Sequence, residues 1–179
     1  LGFLFSLINR NPLGAAAGYG TSWPIDRELT TRLLGFDEVL ENTLDCVSSR
    51  WEMESQLAAD VSLLMNHLSQ MAQDLIVFST TEFALVSLPG TVVQGSSIMP
   101  QKRNPDPLEV TRAKTAYAQG ALQTLLSLPR GGLSGYNRDL QYSKYVIMDL
   151  LRECGPAPAV MARVVAGLQF HAERAAELA

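Results

Sequence analysis

Between Arg50 and Phe78 the apolar residues Met53, Leu57, Val61, Leu64, Leu68, Met71, Leu75 and Phe78 follow one another at spacings of 4, 4, 3, 4, 3, 4 and 3. That rhythm is nearly a heptad seam and predicts one long α-helix. Ser49 and Glu52 fit the S-x-x-E capping box, which places the helix start just after Ser49. A helix of about 29 residues is roughly 43 Å long. A compact domain of this size has a radius of gyration of only about 13–16 Å. Ala58, Ala59, Leu63, Met65, Ala72 and Ile76 flank the seam, so the apolar surface is wider than one stripe. Such a helix needs neighbours on several sides. The chain supplies few of them, which predicts an elongated bundle completed by other chains or by further segments.

The remaining pattern is also helical. Asn104 is a good N-cap and Pro105 suits a first helical position, so a second long helix is expected from there to about Leu128, before Pro129. Pro107 falls in its first turn, where a missing N–H is tolerated. Its face of Ala113, Ala116, Tyr117, Gly120, Ala121 and Thr124 is mostly small and suits close helix approach. A third helix is expected over about Leu140 to Glu153, stopped by Gly155-Pro156, and a fourth from about Ala159 to the end. Trp23-Pro24-Ile25-Asp26-Arg27 opens a short helix that Gly35 ends. The opening LGFLFSLI reads as the end of a helix and lacks the layout of a signal peptide or membrane span. No convincing strand is found; Val92-Val93 is too short. The predicted class is all-α.

Composition narrows the function classes. The 179 residues are 47% hydrophobic and 18% charged, as expected of a folded globular chain. The net charge of −4 leaves no basic footprint for nucleic acid. Cys46 and Cys154 form no disulfide framework and suit a reducing, cytoplasmic setting.

Chemistry is sparse outside one segment. His67, inside the long helix, reads as a packing or hydrogen-bonding histidine, and His171 as a surface one. No metal-ligand spacing occurs. Gly18 and Gly20 form a glycine loop with no strand before them, which is no nucleotide site. The segment Gln94 to Glu109, QGSSIMPQKRNPDPLE, is different. Gly95 frees the backbone at Ser96 and Ser97, whose hydroxyls lie beside backbone N–H groups. Lys102 and Asn104 are suited to gripping a carboxylate by charge and by hydrogen bonds. The helix start after Asn104 favours an anion, and Glu109 can orient a base from elsewhere. From the residues alone two readings stand: an anion-gripping active-site loop, or a polar loop whose serines and asparagine cap helices.

GSSIMPQKRNP resembles the GSSxMPxKxNP signature of the fumarase/aspartase superfamily at Gly95, Ser96, Ser97, Met99, Pro100, Lys102, Asn104 and Pro105. Within it the chain most resembles the argininosuccinate lyases, through NPLGAAAGYGTSWPIDRELTTRLLGF, ENTLDCVSSR, GYNRDLQYSK and Gln101 of the signature. The resemblance implies the central helical-bundle domain of such a lyase over 1–179, without the family's N- and C-terminal portions. It implies a homotetramer whose sites combine segments of three subunits and which releases fumarate by β-elimination from the small molecule argininosuccinate. It implies no cofactor, no metal, no nucleic acid and no membrane.

By position, Ser96 matches the proposed base. Lys102, Ser97 and Asn104 match groups around the substrate carboxylates, and Glu109 matches the glutamate that pairs with the family's histidine. Tyr136, Gln141 and Lys144 match positions that recognise the rest of the substrate, and Arg50 an arginine close to the site. Packing at a helix start for Tyr136, and a solvated lysine for Lys144, remain the plain alternatives.

Two departures stand out. Trp51 replaces the aspartate that usually follows Arg50. Neither His67 nor His171 matches the family's active-site histidine, whose segment would precede Leu1, so the isolated chain is expected to be inactive. An adenylosuccinate-type or carboxymuconate-type substrate, or a non-catalytic crystallin-like homologue, stays open.

Overall fold

A computed structural model describes residues 2–99 and 101–179; Leu1 of the opening apolar run and Pro100 of the signature lie outside the described residues. The fold is helical. Its helices are α1 (Gly2–Ile8), α2 (Arg27–Leu34), α3 (Asp45–Ser48), α4 (Arg50–Phe78), α5 (Asp106–Ser127), α6 (Ser143–Cys154), α7 (Ala157–Ala166) and α8 (Ala172–Leu178). Two-residue strands β1 (Arg10–Asn11) and β2 (Glu38–Val39) pair in parallel, and β3 (Val86–Ser87) and β4 (Gln169–Phe170) pair antiparallel. These pairings were not expected, because two residues carry no readable alternation. The chain divides into two compact units, Leu1–Asp60 with Gly120–Asp149, and Val61–Gln119 with Leu150–Ala179.

In the first unit α2 starts where the sequence places it. Asp26 accepts from the Leu29 N–H at 2.8 Å, and Gly35 ends the helix in the left-handed region at φ 78°. A buried polar network ties α2 to β1. The fully buried Asn11 donates through Nδ2 to the hydroxyls of Thr30 and Thr31, each at 2.9 Å. Arg27 donates to the Leu13 and Leu40 carbonyls, both at 2.8 Å. Satisfied networks of this kind fix one arrangement of loop and helix.

In the second unit Ala72 and Leu75 of α4, Leu88, Leu108 of α5, and Met161 and Val164 of α7 form one apolar core. α4 and α5 approach closely enough for Thr115 Oγ1 to donate to the Met65 backbone carbonyl at 3.0 Å. Lys114 joins α5 to the end of α6 through the Glu153 carbonyl at 2.7 Å and its carboxylate at 3.3 Å.

Several expectations are corrected. α4 has the predicted bounds, but Ser49 Oγ donates back to the Asp45 carbonyl, so no capping box forms. The side of α4 buried in this chain is Ser55, Ala58, Ser62, Met65, Ala72 and Leu75, whereas Leu64, Met71 and Phe78 of the predicted seam are exposed. On α5 the buried residues are Leu108, Thr111, Thr115, Ala118, Ala121 and Leu125; of the expected small face only Ala121 is buried. On α4 the buried side is rich in small residues, whereas on α5 the buried side mixes Leu108 and Leu125 with Thr111, Thr115, Ala118 and Ala121. α5 begins at Asp106, because the Asn104 backbone is used elsewhere. The expected fourth helix is three elements, α7, β4 and α8, broken at Gly167, where a Cβ would fall 2.7 Å from Pro89 Cγ.

Candidate functional site

The QGSSIMPQKRNPDPLE segment is a loop closed at its base. Gln94 and Asn104 exchange backbone hydrogen bonds in both directions, each 2.9 Å, as an isolated antiparallel bridge. Before the bridge, Val92 and Val93 pack against the second unit's core, so the loop stands on a fixed foot. Beyond it, Pro105 accepts from the N–H groups of Leu108 and Glu109 and starts α5.

Inside the loop Ser96 is half-buried. Its Oγ accepts from the backbone N–H groups of Ile98 and Met99, each at 3.3 Å. The Met99 carbonyl in turn accepts from the Lys102 N–H at 2.9 Å. Ser97 and Lys102 are exposed, Asn104 is half-buried, and Glu109 is exposed on the first turn of α5. One short segment therefore presents a hydroxyl held by two amides, an ammonium group, a carboxamide and a carboxylate.

The other sequence-predicted residues belong to the first unit. Tyr136 and Gln141 are brought together, with Gln141 Nε2 donating to the Tyr136 hydroxyl at 2.7 Å. Lys144, exposed at the start of α6, places Nζ 4.9 Å from the centre of the Tyr145 ring. Arg50 is exposed at the head of α4 and lines a cavity of about 370 Å³ with Arg10, Met53 and Glu54. Trp51 beside it is half-buried.

The Gly135 N–H donates to Ser48 Oγ at 2.8 Å, which fixes the entry to the Tyr136–Lys144 segment. Gly135 sits at φ 102°, a backbone conformation that L side chains rarely adopt, which favours glycine here.

His67 is exposed with no hydrogen-bond partner among the described residues, not the packed or bonded histidine expected. His171 is exposed as expected, but it also pairs Nε2 with Ser87 Oγ at 2.7 Å and donates its N–H to the Leu85 carbonyl. Nothing in the sequence spacing links those positions. The Ser143 hydroxyl likewise donates to Glu54 Oε1 at 3.0 Å across 89 residues, a pairing no spacing announces.

The Glu153 carboxyl and the Cys154 thiol titrate away from their ordinary range. The Lys114 ammonium, by hydrogen bond and then by charge, holds the Glu153 carboxyl below the usual carboxylate range. Burial pushes the Cys154 thiol up. Among the described residues no cluster of three or more His, Cys, Asp or Glu is placed to hold a metal, and no helix is long and apolar enough to cross a membrane.

A family model described as lyase matches residues 5–120. The chain is 46% identical over 167 residues to an argininosuccinate lyase of Halorhodospira halophila, covering 93% of this chain and 36% of that protein. It is 43% identical to an argininosuccinate lyase of Thermus thermophilus, with the same coverage. The solved structure of EDDS lyase in complex with formate aligns with a TM-score of 0.80 at 31% identity, covering 97% of this chain and 34% of that one. The chain thus spans about a third of the length of the curated relatives it matches. With the signature loop on α5 and a match over most of its length, the chain belongs to the lyase family.

Proposed function

We propose that the chain supplies the signature loop and substrate-recognition segment of an argininosuccinate lyase-type enzyme, which splits argininosuccinate into arginine and fumarate. The observation that carries this reading is Ser96 Oγ facing two backbone N–H groups, at Ile98 and Met99. A serine hydroxyl is a poor base in water. Two fixed amides favour its alkoxide, and the Lys102 charge on the same loop would add to this once the loop closes. The 3.3 Å bonds to the neutral hydroxyl are long and would tighten on the anion.

The alkoxide takes the proton on the carbon β to the breaking C–N bond. The released electron pair is held as an aci-carboxylate by Lys102, Asn104 and Ser97. It then forms the fumarate double bond as the C–N bond breaks, and an acid protonates the departing nitrogen. Glu109 orients the histidine that the family places there. Tyr136, Gln141, Lys144 and Arg50 recognise the rest of the substrate. The signature loop, from Gly90 onward, acts as the mobile lid over this chemistry. The working enzyme is a cytoplasmic homotetramer in which this chain is the central helical domain.

Trp51 supports a second reading, the same elimination on another amino-succinate such as adenylosuccinate. A half-buried indole in place of a carboxylate beside Arg50 changes both the charge and the room at the head of α4.

A transplant tests both. This chain replaces the matching third of one of the argininosuccinate lyases it resembles, and fumarate release is measured with argininosuccinate and with adenylosuccinate. Turnover of argininosuccinate supports the first reading, and turnover of adenylosuccinate alone supports the second. No turnover of either, in a folded tetramer, favours a crystallin-like structural protein.

A further inference from the structure

We propose that Glu54 is a positioning residue for the Tyr136–Lys144 recognition segment. Glu54 lies one turn after Arg50 on α4. Its Oε1 accepts from Ser143 Oγ at 3.0 Å. Ser143 is fully buried and is the first residue of α6, where the 3₁₀ turn Arg138–Tyr142 becomes α-helical. Gln141 lies two residues before it and Lys144 directly after it.

The same segment is held at its other end by Ser48, which accepts from the Gly135 N–H at 2.8 Å. Both anchors come from the short stretch that ends α3 and begins α4. The segment is thus pinned at residues 135 and 143, and the three recognition residues follow these two points.

The second carboxylate oxygen, Glu54 Oε2, is buried with no partner among the described residues. A carboxylate left half-satisfied is costly, so its bond to Ser143 is what offsets that placement. A glutamine keeps an acceptor oxygen for Ser143 and drops the charge; an alanine leaves the Ser143 hydroxyl buried and unpaired.

This inference rests on the reading that Tyr136, Gln141 and Lys144 contact substrate, so it is tested in two ways. In the transplanted enzyme, Glu54→Ala is expected to raise KM for argininosuccinate about tenfold while kcat changes little. Ser143→Ala is expected to give a similar rise, the double variant no more than either, and Glu54→Gln most of the wild-type value. In the 179-residue chain itself, Glu54→Ala is expected to speed amide hydrogen exchange over residues 142–147 about tenfold, and Glu54→Gln is not. An unchanged KM in Glu54→Ala, a Glu54→Gln as impaired as the alanine, or unchanged exchange overturns the proposal. A transplant inactive before any substitution overturns the lyase reading instead, and the exchange experiment then judges Glu54 alone.

Discussion

Gln94 and Asn104 exchange their backbone N–H and carbonyl groups across the neck of the signature loop, with both bonds at 2.9 Å. The pairing uses the Asn104 main chain, and the proposed function assigns its carboxamide to a substrate carboxylate. The two roles separate by mutation. Asn104→Ala is expected to leave thermal stability nearly unchanged and to raise KM in the transplanted enzyme about tenfold or more, as loss of a hydrogen bond to a charged carboxylate does. Gln94→Pro removes one neck bond and is expected to cost about 1 kcal/mol or more in urea unfolding. A large stability loss in Asn104→Ala would show that its side chain holds the loop instead.

This neck illustrates what the sequence could not say. Ser96, Lys102, Asn104 and Glu109 stand out as candidates because they fall within one short motif. The pairing of Gln94 with Asn104 does not, because nothing in either residue type announces a backbone partner. The same holds for Glu54 with Ser143 and for Ser87 with His171, contacts between positions far apart in the chain. α4 was legible from Arg50 to Phe78 because its apolar rhythm is unbroken. Which side of it this chain buries was not, since Ala58, Met65 and Ala72 keep a heptad rhythm just as Leu57, Leu64 and Met71 do. Packing against α5 and α7 decides, and on α4 it buries Ala58, Met65 and Ala72.

That choice predicts the cost of enlarging the row. Ala118 on α5 and Ala72 on α4 are fully buried. Ala118→Leu is expected to destabilise the fold by about 1–3 kcal/mol through overpacking. Thr115→Val keeps the volume but loses the bond to the Met65 carbonyl, at about 1 kcal/mol. Denaturant midpoints at constant slope measure both. A neutral Ala118→Leu would mean that α4 and α5 lie too far apart at Ala118 for its full burial to reflect close packing.

The Lys114–Glu153 pair predicts a dependence on acid. Glu153 releases its proton more readily in the folded protein than in the unfolded chain, because Lys114 donates to its carboxylate. Its contribution is therefore present above the ordinary carboxylate range and is lost as pH falls through the lowered folded value. Glu153→Gln is expected to be less stable than the parent at neutral pH, with the gap closing in acid. Circular dichroism melts across pH 7 to about 3 follow this. A gap that stays constant with pH would assign the difference to packing.

Ser96→Ala in the transplanted enzyme tests the central claim most directly. The substitution removes the hydroxyl that accepts from Ile98 and Met99 and leaves the neck of the loop intact. With Ser96 as the base, kcat for argininosuccinate falls by about 10²–10⁴ while fumarate still binds with nearly the parent affinity. A Ser96→Ala enzyme that keeps its kcat would contradict the account.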